Sequence, residues 1–231
     1  METGVVSAVV HVLGIMAVFF SFLPLILYWF KGLAENKAYM IISIFWMINA
    51  IIYAPEIFQW QWYVPVDEQI TKYYNLFDAP LILLIFYYAF EKRTFLFILL
   101  SFIVFEAVVI QITGFNMTSN DIIIGVGSLL CLGLNCWGIN KYFRQISYTA
   151  SDKAYMFIFA GFIFYYGLCV DLIYIFKFFH FNKSQKQYEA LVNYTAMVLS
   201  TCLISYGFCK YARPDYDQTQ VIKTKSRDTF F

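Results

Sequence analysis

The stretch LVNYTAMVLSTCLISYGF at positions 191–208 decides the fold class, because it holds no Asp, Glu, Lys or Arg. A helix that crosses a bilayer needs about 20 mostly apolar residues. With its flanking residues the stretch forms a run over 190–212, and we predict that this run is a membrane-spanning helix. Asn193 and Met197 are four residues apart within it, so they share one face of that helix.

The rest of the chain has the same character. Of 231 residues, 61% are hydrophobic and only 13% are charged, whereas a soluble domain carries about a quarter charged residues. The sequence therefore predicts an all-α integral membrane protein, a bundle of seven transmembrane helices with a polar tail at 213–231. The predicted spans are 5–30, 38–58, 74–90, 94–114, 120–143, 154–179 and 190–212.

The distribution of basic residues predicts the orientation. If the N-terminus is outside, twelve of the sixteen Lys and Arg residues lie on the cytoplasmic side, as the positive-inside rule requires. We expect an N-out, C-in protein in the plasma membrane or a bacterial inner membrane. The formal charge of +1 argues against a nucleic-acid partner, so membrane lipids and another membrane protein are the expected partners.

Three acidic residues within the predicted spans are candidate catalytic or proton-binding groups, because a charge at the bilayer centre is costly and often marks function. They are Asp78 in the third span, Glu106 in the fourth and Asp171 in the sixth. Asp78 lies two residues before Pro80, which loosens the helix there. Two interpretations of Asp78 stay open: an acid that faces a ligand or proton path, and a protonated carboxyl hydrogen-bonded to a neighbouring helix.

Asp171 has tyrosines close to it in the chain. Tyr174 follows Asp171 by three residues and shares its helical face. Tyr166 precedes Asp171 by five residues. We include both tyrosines with Asp171 among the candidate pocket residues. The two histidines are too few and too far apart for a histidine-rich metal site, and we predict no metal site.

Two short motifs resemble those of microbial (type I) rhodopsins. In LFDAPLILL at 76–84, Pro80 matches the family's proline and Asp78 takes a threonine-like position. In NYTAM at 193–197, Asn193 stands where the family has an acid, and Met197 stands where it has the retinal-binding lysine. The family's tryptophan and proline of helix six are absent. The resemblance implies a rhodopsin-like bundle that lacks the amine for a retinal Schiff base.

These observations lead to one principal hypothesis and two alternatives. The first is a non-enzymatic, lysine-less seven-helix protein that acts as a membrane-embedded partner or as a sensor of a hydrophobic ligand. It has no covalent cofactor, and its residue types are compatible with a non-covalently bound lipid or polyene. The second is a membrane-embedded enzyme of terpene-cyclase type, in which Asp78 with Asp171 or Glu106 protonates an isoprenoid or lipid. The third is a proton-coupled transporter that uses the same acids.

Overall fold

The computed structural model describes residues 2–58, 67–144, 149–170 and 183–211, and within these ranges the regular structure is entirely helical. A single π-helical segment, Tyr165–Val170, continues α7 directly. The α-helices are α1 (Glu2–Ser21), α2 (Leu23–Phe30), α3 (Lys37–Ile57), α4 (Asp67–Phe90), α5 (Arg93–Thr113), α6 (Met117–Phe143), α7 (Ala150–Phe164) and α8 (Lys183–Lys210).

Six helical segments in the described part of the chain are long and apolar enough to cross a membrane. They coincide with the first five predicted spans and the last, and they support an integral membrane protein. The sixth predicted span, 154–179, begins in α7 and the π-helix, and its remainder from 171 lies outside the described residues. The tail at 213–231 lies outside them as well. The six segments are Val6–Phe30, Lys37–Ile57, Gln69–Phe90, Arg93–Thr113, Met117–Phe143 and Ala190–Lys210.

Local sequence signals account for several helix boundaries. Pro24 lies in the first turn of α2, where a missing N–H costs no helical hydrogen bond. The Asn36 side chain accepts hydrogen bonds from the N–H groups of Ala38 and Tyr39 and so caps α3. Capping boxes begin both α6, through Asn116, and α7, through Thr149.

The helices pack as a ring around an aromatic interior. Going round the ring, α1 contacts α3, α3 contacts α4, α4 contacts α6, α6 contacts α7, α7 contacts α8, and α8 returns to α1. Helix α5 packs mainly against α4 and α6 and so lies outside this ring. The largest fully buried aromatic side chains are Tyr39, Phe45, Trp46, Phe86, Phe159, Phe162, Tyr166 and Phe208.

Helices α7 and α8 approach most closely at two glycines. A Cβ atom built on Gly161 would lie 2.6 Å from Cγ1 of Ile204 and 2.8 Å from the carbonyl oxygen of Ser200. A Cβ atom on Gly207 would lie 2.8 Å from the carbonyl oxygen of Ala154. Because backbone atoms cannot give way as a side chain can, these glycines set the distance between the two helices.

We expect Gly161→Ala to reduce the free energy of unfolding by about 1–3 kcal/mol, because the new methyl group overlaps backbone and core atoms. Gly133→Ala is the matched control, since a Cβ atom there has no neighbour within 4 Å. Unfolding of both variants in mixed detergent measures the difference. Equal stability of the two variants would contradict the close approach at Gly161.

Candidate functional site

Asp78 lies in α4 between two tyrosine hydroxyls. Its Oδ1 atom is 2.9 Å from Oη of Tyr74, one turn earlier on the same helix. Its Oδ2 atom is 2.8 Å from Oη of Tyr166, in the π-helix. Tyr74 and Tyr166 are buried, whereas Asp78 itself keeps part of its surface accessible. Pro80 cannot donate a hydrogen bond to the carbonyl of Leu76, so α4 is loosened in the turn that carries Asp78.

A second polar centre, Asn49 of α3, joins the same hydrogen-bond network. Its Oδ1 atom lies 2.9 Å from Oη of Tyr74 and 3.0 Å from Oη of Tyr165. Its amide nitrogen donates to the carbonyl oxygen of Phe45 at 2.9 Å. That bond fixes the orientation of the amide, so Oδ1 can only accept hydrogen bonds. Asn49, Tyr74, Asp78, Tyr165 and Tyr166 together are called the Asp78 cluster below.

Two consecutive tyrosines at the start of the π-helix form hydrogen bonds with two different helices. Neighbouring residues of an α-helix project about 100° apart. Tyr165 and Tyr166 open the π-helix, and their hydroxyls reach Asn49 on α3 and Asp78 on α4 respectively. The side chain of Cys131 from α6 also contacts Tyr166. Short π-helical turns occur frequently at functional sites, and this one carries two members of the cluster.

We infer from these contacts that Asp78 carries a proton. It contains four oxygen–oxygen contacts of 2.8–3.0 Å, and each needs one hydrogen atom between its two oxygens. The three tyrosine hydroxyls supply three hydrogens, and Oδ1 of Asn49 supplies none. Tyr74 lies within donor distance of both Asp78 and Asn49 but has one hydroxyl hydrogen. If Tyr74 donates to Asn49, the hydrogen between Asp78 and Tyr74 comes from the carboxyl group. The cluster is then uncharged, which avoids the cost of a buried carboxylate.

We expect the infrared spectrum of the purified protein at neutral pH to show the C=O stretching band of a protonated carboxylic acid that belongs to Asp78. Asp78→Asn should remove that band, and Tyr74→Phe should shift it, because the acid loses the oxygen to which it donates. Asp152→Asn is the control, since Asp152 caps α7 through Thr149. An unchanged band in Asp78→Asn would show that Asp78 is ionised.

Glu106 occupies a different environment from Asp78. It lies on the buried stripe of α5, and its Oε1 atom has no hydrogen-bond partner within the described residues. The stripe consists of Phe95, Leu99, Phe102, Glu106 and Val109. The two oxygens of Asp78 contact the hydroxyls of Tyr74 and Tyr166 and not Glu106.

Glu106→Leu should leave the free energy of unfolding unchanged or raise it, because a buried polar atom without a partner costs about 1–3 kcal/mol. Asp78→Leu should lower it by a similar amount, because Tyr74 and Tyr166 would lose their partner. Thermal unfolding of the two variants in detergent compares them under identical conditions. The account of Glu106 is wrong if its replacement is the more damaging of the two.

The remaining predicted site residues fall into two groups. Met197 is fully buried and Asn193 is half-buried, both in α8. Asp171 and Tyr174 lie outside the described residues. Of the predicted tyrosines, Tyr166 contacts Asp78, and sequence reasoning missed Asn49, Tyr74 and Tyr165. Only Tyr74 carried a readable signal, since it precedes Asp78 by four residues, one helical turn.

Comparisons with known proteins add no assignment. No family model, curated protein or solved structure matches this chain. The resemblance to microbial rhodopsins therefore depends on the two sequence motifs and the helix plan. Within residues 2–58, 67–144, 149–170 and 183–211, no three His, Cys, Asp or Glu side chains are grouped so that they could hold a metal ion.

Proposed function

We propose that this protein is a non-enzymatic, rhodopsin-like seven-helix membrane protein that senses a hydrophobic ligand at the Asp78 cluster. The observation that carries the proposal is the hydrogen-bonded connection of α3, α4 and the π-helix through the Asp78 cluster. The proposal includes the N-out, C-in orientation, in the plasma membrane or a bacterial inner membrane.

The surroundings of the cluster suit a ligand with an apolar body and one polar end. The ring of Tyr165 contacts Phe45 and Trp46 edge-on, with centroid distances of 5.9 and 5.2 Å. These rings and Phe162 are buried beside the polar groups, so the apolar body of a ligand would contact them only where the bundle opens. Asp78 keeps accessible surface, so a ligand's hydroxyl or carbonyl group can compete with a tyrosine for its carboxyl group.

Such competition would change the state of the bundle. A polar group that takes the place of Tyr166 at Asp78 releases the π-helix from α4, while Tyr165 still contacts Asn49. A ligand shifts a conformational equilibrium only by its difference in affinity for the two states. Here the difference would be the hydrogen bond that Asp78 makes with the ligand in one state and with Tyr166 in the other.

Binding accounts for the geometry better than acid catalysis. A general acid must deliver its proton to the substrate, and both carboxyl oxygens of Asp78 already contact tyrosine hydroxyls. Glu106, one of the two acids predicted to assist Asp78, belongs to another part of the bundle, on α5. Retinal would bind only without a covalent bond, because Met197 occupies the lysine position of the rhodopsin motif.

The proton on Asp78 favours one second candidate, a proton-coupled transporter. A transporter must release and rebind such a proton once in every cycle, with its site alternately open to the two sides of the membrane. Proteoliposomes with an imposed pH gradient separate the two functions. A sensor leaves the internal pH unchanged, whereas a transporter moves protons together with its substrate.

Extraction of the purified protein with organic solvent, followed by mass spectrometry, tests the proposed function. We expect the wild-type protein to retain a lipid or polyene that leaves without bond cleavage. Asp78→Asn and Tyr166→Phe should retain about tenfold less, because each removes a hydrogen bond worth roughly 1 kcal/mol or more. Tyr188→Phe, which alters an exposed tyrosine of α8, is the matched control.

Two results would count against the proposed function. Equal retention by wild type and Asp78→Asn would show that the ligand does not use the cluster. A covalently attached pigment would show that another residue supplies an amine and that the protein is not restricted to non-covalent ligands.

A further inference from the structure

A group of basic residues surrounds the turn between α4 and α5. Helix α4 ends at Phe90 and α5 begins at Arg93, so the connection has only two residues. The first, Glu91, has a φ of 51°, and this left-handed conformation makes the sharp reversal possible. The second, Lys92, and Arg93 are both exposed.

Lys141 of α6 brings a further positive charge to this turn. Its ammonium nitrogen lies 4.0 Å from the ring centroid of Phe90. The ring centroids of Trp137 and Tyr142 are further away, at 6.0 and 5.9 Å, near the outer limit of a cation–π contact. The rings of Phe90 and Trp137 contact each other at 5.2 Å. Lys141 is therefore held by packed aromatic side chains at the end of α4.

The cations outnumber the acids here. The acids are Glu91 in the turn itself and Asp152. The Lys141 nitrogen lies against the ring of Phe90, two residues before Lys92, so the two positive charges belong to the same turn and repel each other. Asp152 attracts Lys141, but its Oδ2 atom also accepts hydrogen bonds from the backbone N–H and the hydroxyl of Thr149 as the cap of α7. Arg144, exposed at the end of α6, adds another positive charge. An anion between Lys92 and Lys141 would turn this repulsion into attraction.

The surface next to these cations is apolar and exposed. On α5, Phe97 is 67% exposed, and on α6, Phe143 is 63% exposed. Trp137, whose ring lies 6.0 Å from the Lys141 nitrogen, is also exposed, and tryptophan prefers the level of the lipid headgroups. A free phosphate ion would cover only the charges. A phospholipid would cover both the charges and the apolar surface.

We propose that the α4–α5 turn binds an anionic phospholipid. Its headgroup phosphate lies between Lys92, Arg93 and Lys141, and its acyl chains run along α5 and α6. The first turn of α5 has no side-chain cap, and the N-terminus of a helix attracts an anion such as the phosphate. This site is separate from the Asp78 cluster, and its test does not depend on the proposed sensor function.

Native mass spectrometry of the full chain, titrated in neutral detergent with phosphatidic acid or phosphatidylcholine, tests this proposal. We expect wild type to bind phosphatidic acid in preference to phosphatidylcholine. Lys92→Ala with Arg93→Ala should weaken phosphatidic acid binding roughly ten- to thirtyfold, because each basic residue contributes about 1 kcal/mol. Lys141→Met should weaken it as well. Lys31→Ala with Lys210→Ala removes the same charge where the end of α2 meets α8 and should leave it unchanged.

Three results would overturn the proposal. The first is equal binding of the two lipids by wild type. The second is an equal loss in the control double variant, which would show that overall charge and not this turn attracts the lipid. The third is full displacement of the lipid by inorganic phosphate at equal concentration, which would assign the site to a free anion. Circular dichroism of each variant shows that a loss of binding is not a loss of fold.

Discussion

A carboxyl group inside a membrane-spanning bundle must find its hydrogen-bond partners within the protein, and the interior of this bundle depends on how Asp78 does so. Tyr74 and Tyr166 lie within 2.9 Å of its two oxygens, and Asn49 continues the network to α3. Because no water is available at this depth to replace a lost partner, a contact of the cluster can open only when another polar group takes its place. This requirement links α3, α4 and the π-helix more specifically than apolar packing alone.

The cluster and the glycine contacts have complementary roles in the bundle. Gly161 holds α7 against α8 at a distance that leaves no room for a side chain. One turn further along the chain, the helix changes to a π-helix, and Tyr165 and Tyr166 leave that contact to reach α3 and α4. Tight packing thus fixes one part of the helix, while hydrogen bonds fix the next. A ligand that competes for those hydrogen bonds acts on the part that they fix.

The sequence predicted the apolar helices because length and composition determine them directly. The six apolar helical segments match predicted spans, and one of them contains the stretch 191–208. The sequence also identified Asp78 and Tyr166 as site candidates, since an acid or a hydroxyl within an apolar span needs a partner. It could not identify Asn49 or Tyr165 as those partners, because contacts between helices depend on the rotation and order of the helices. The π-helix has no comparable signal in the residues 165–170, and neither does the position of α5 outside the ring.

The same limit explains the different outcomes for the two acids. Asp78 and Glu106 both stand in apolar spans, and composition does not distinguish them. The structure gives Asp78 two tyrosines, whereas Oε1 of Glu106 lies buried on the face of α5 with no partner among the described residues. Which acid belongs to a network is decided by the neighbouring helices and not by the local sequence.

A double-mutant cycle between Asn49→Ala and Tyr166→Phe, measured by reversible unfolding in detergent, tests most directly whether the cluster acts as a unit. Asn49 is bonded to Tyr74, and Tyr166 is bonded to Asp78. The two side chains are therefore connected through the contact between Tyr74 and Asp78. If the four contacts share one set of protons, the two changes in the free energy of unfolding should be non-additive by about 0.5 kcal/mol or more. Additivity within about 0.3 kcal/mol would show that the two hydrogen bonds are independent, and that Asp78 does not couple α3 to the π-helix.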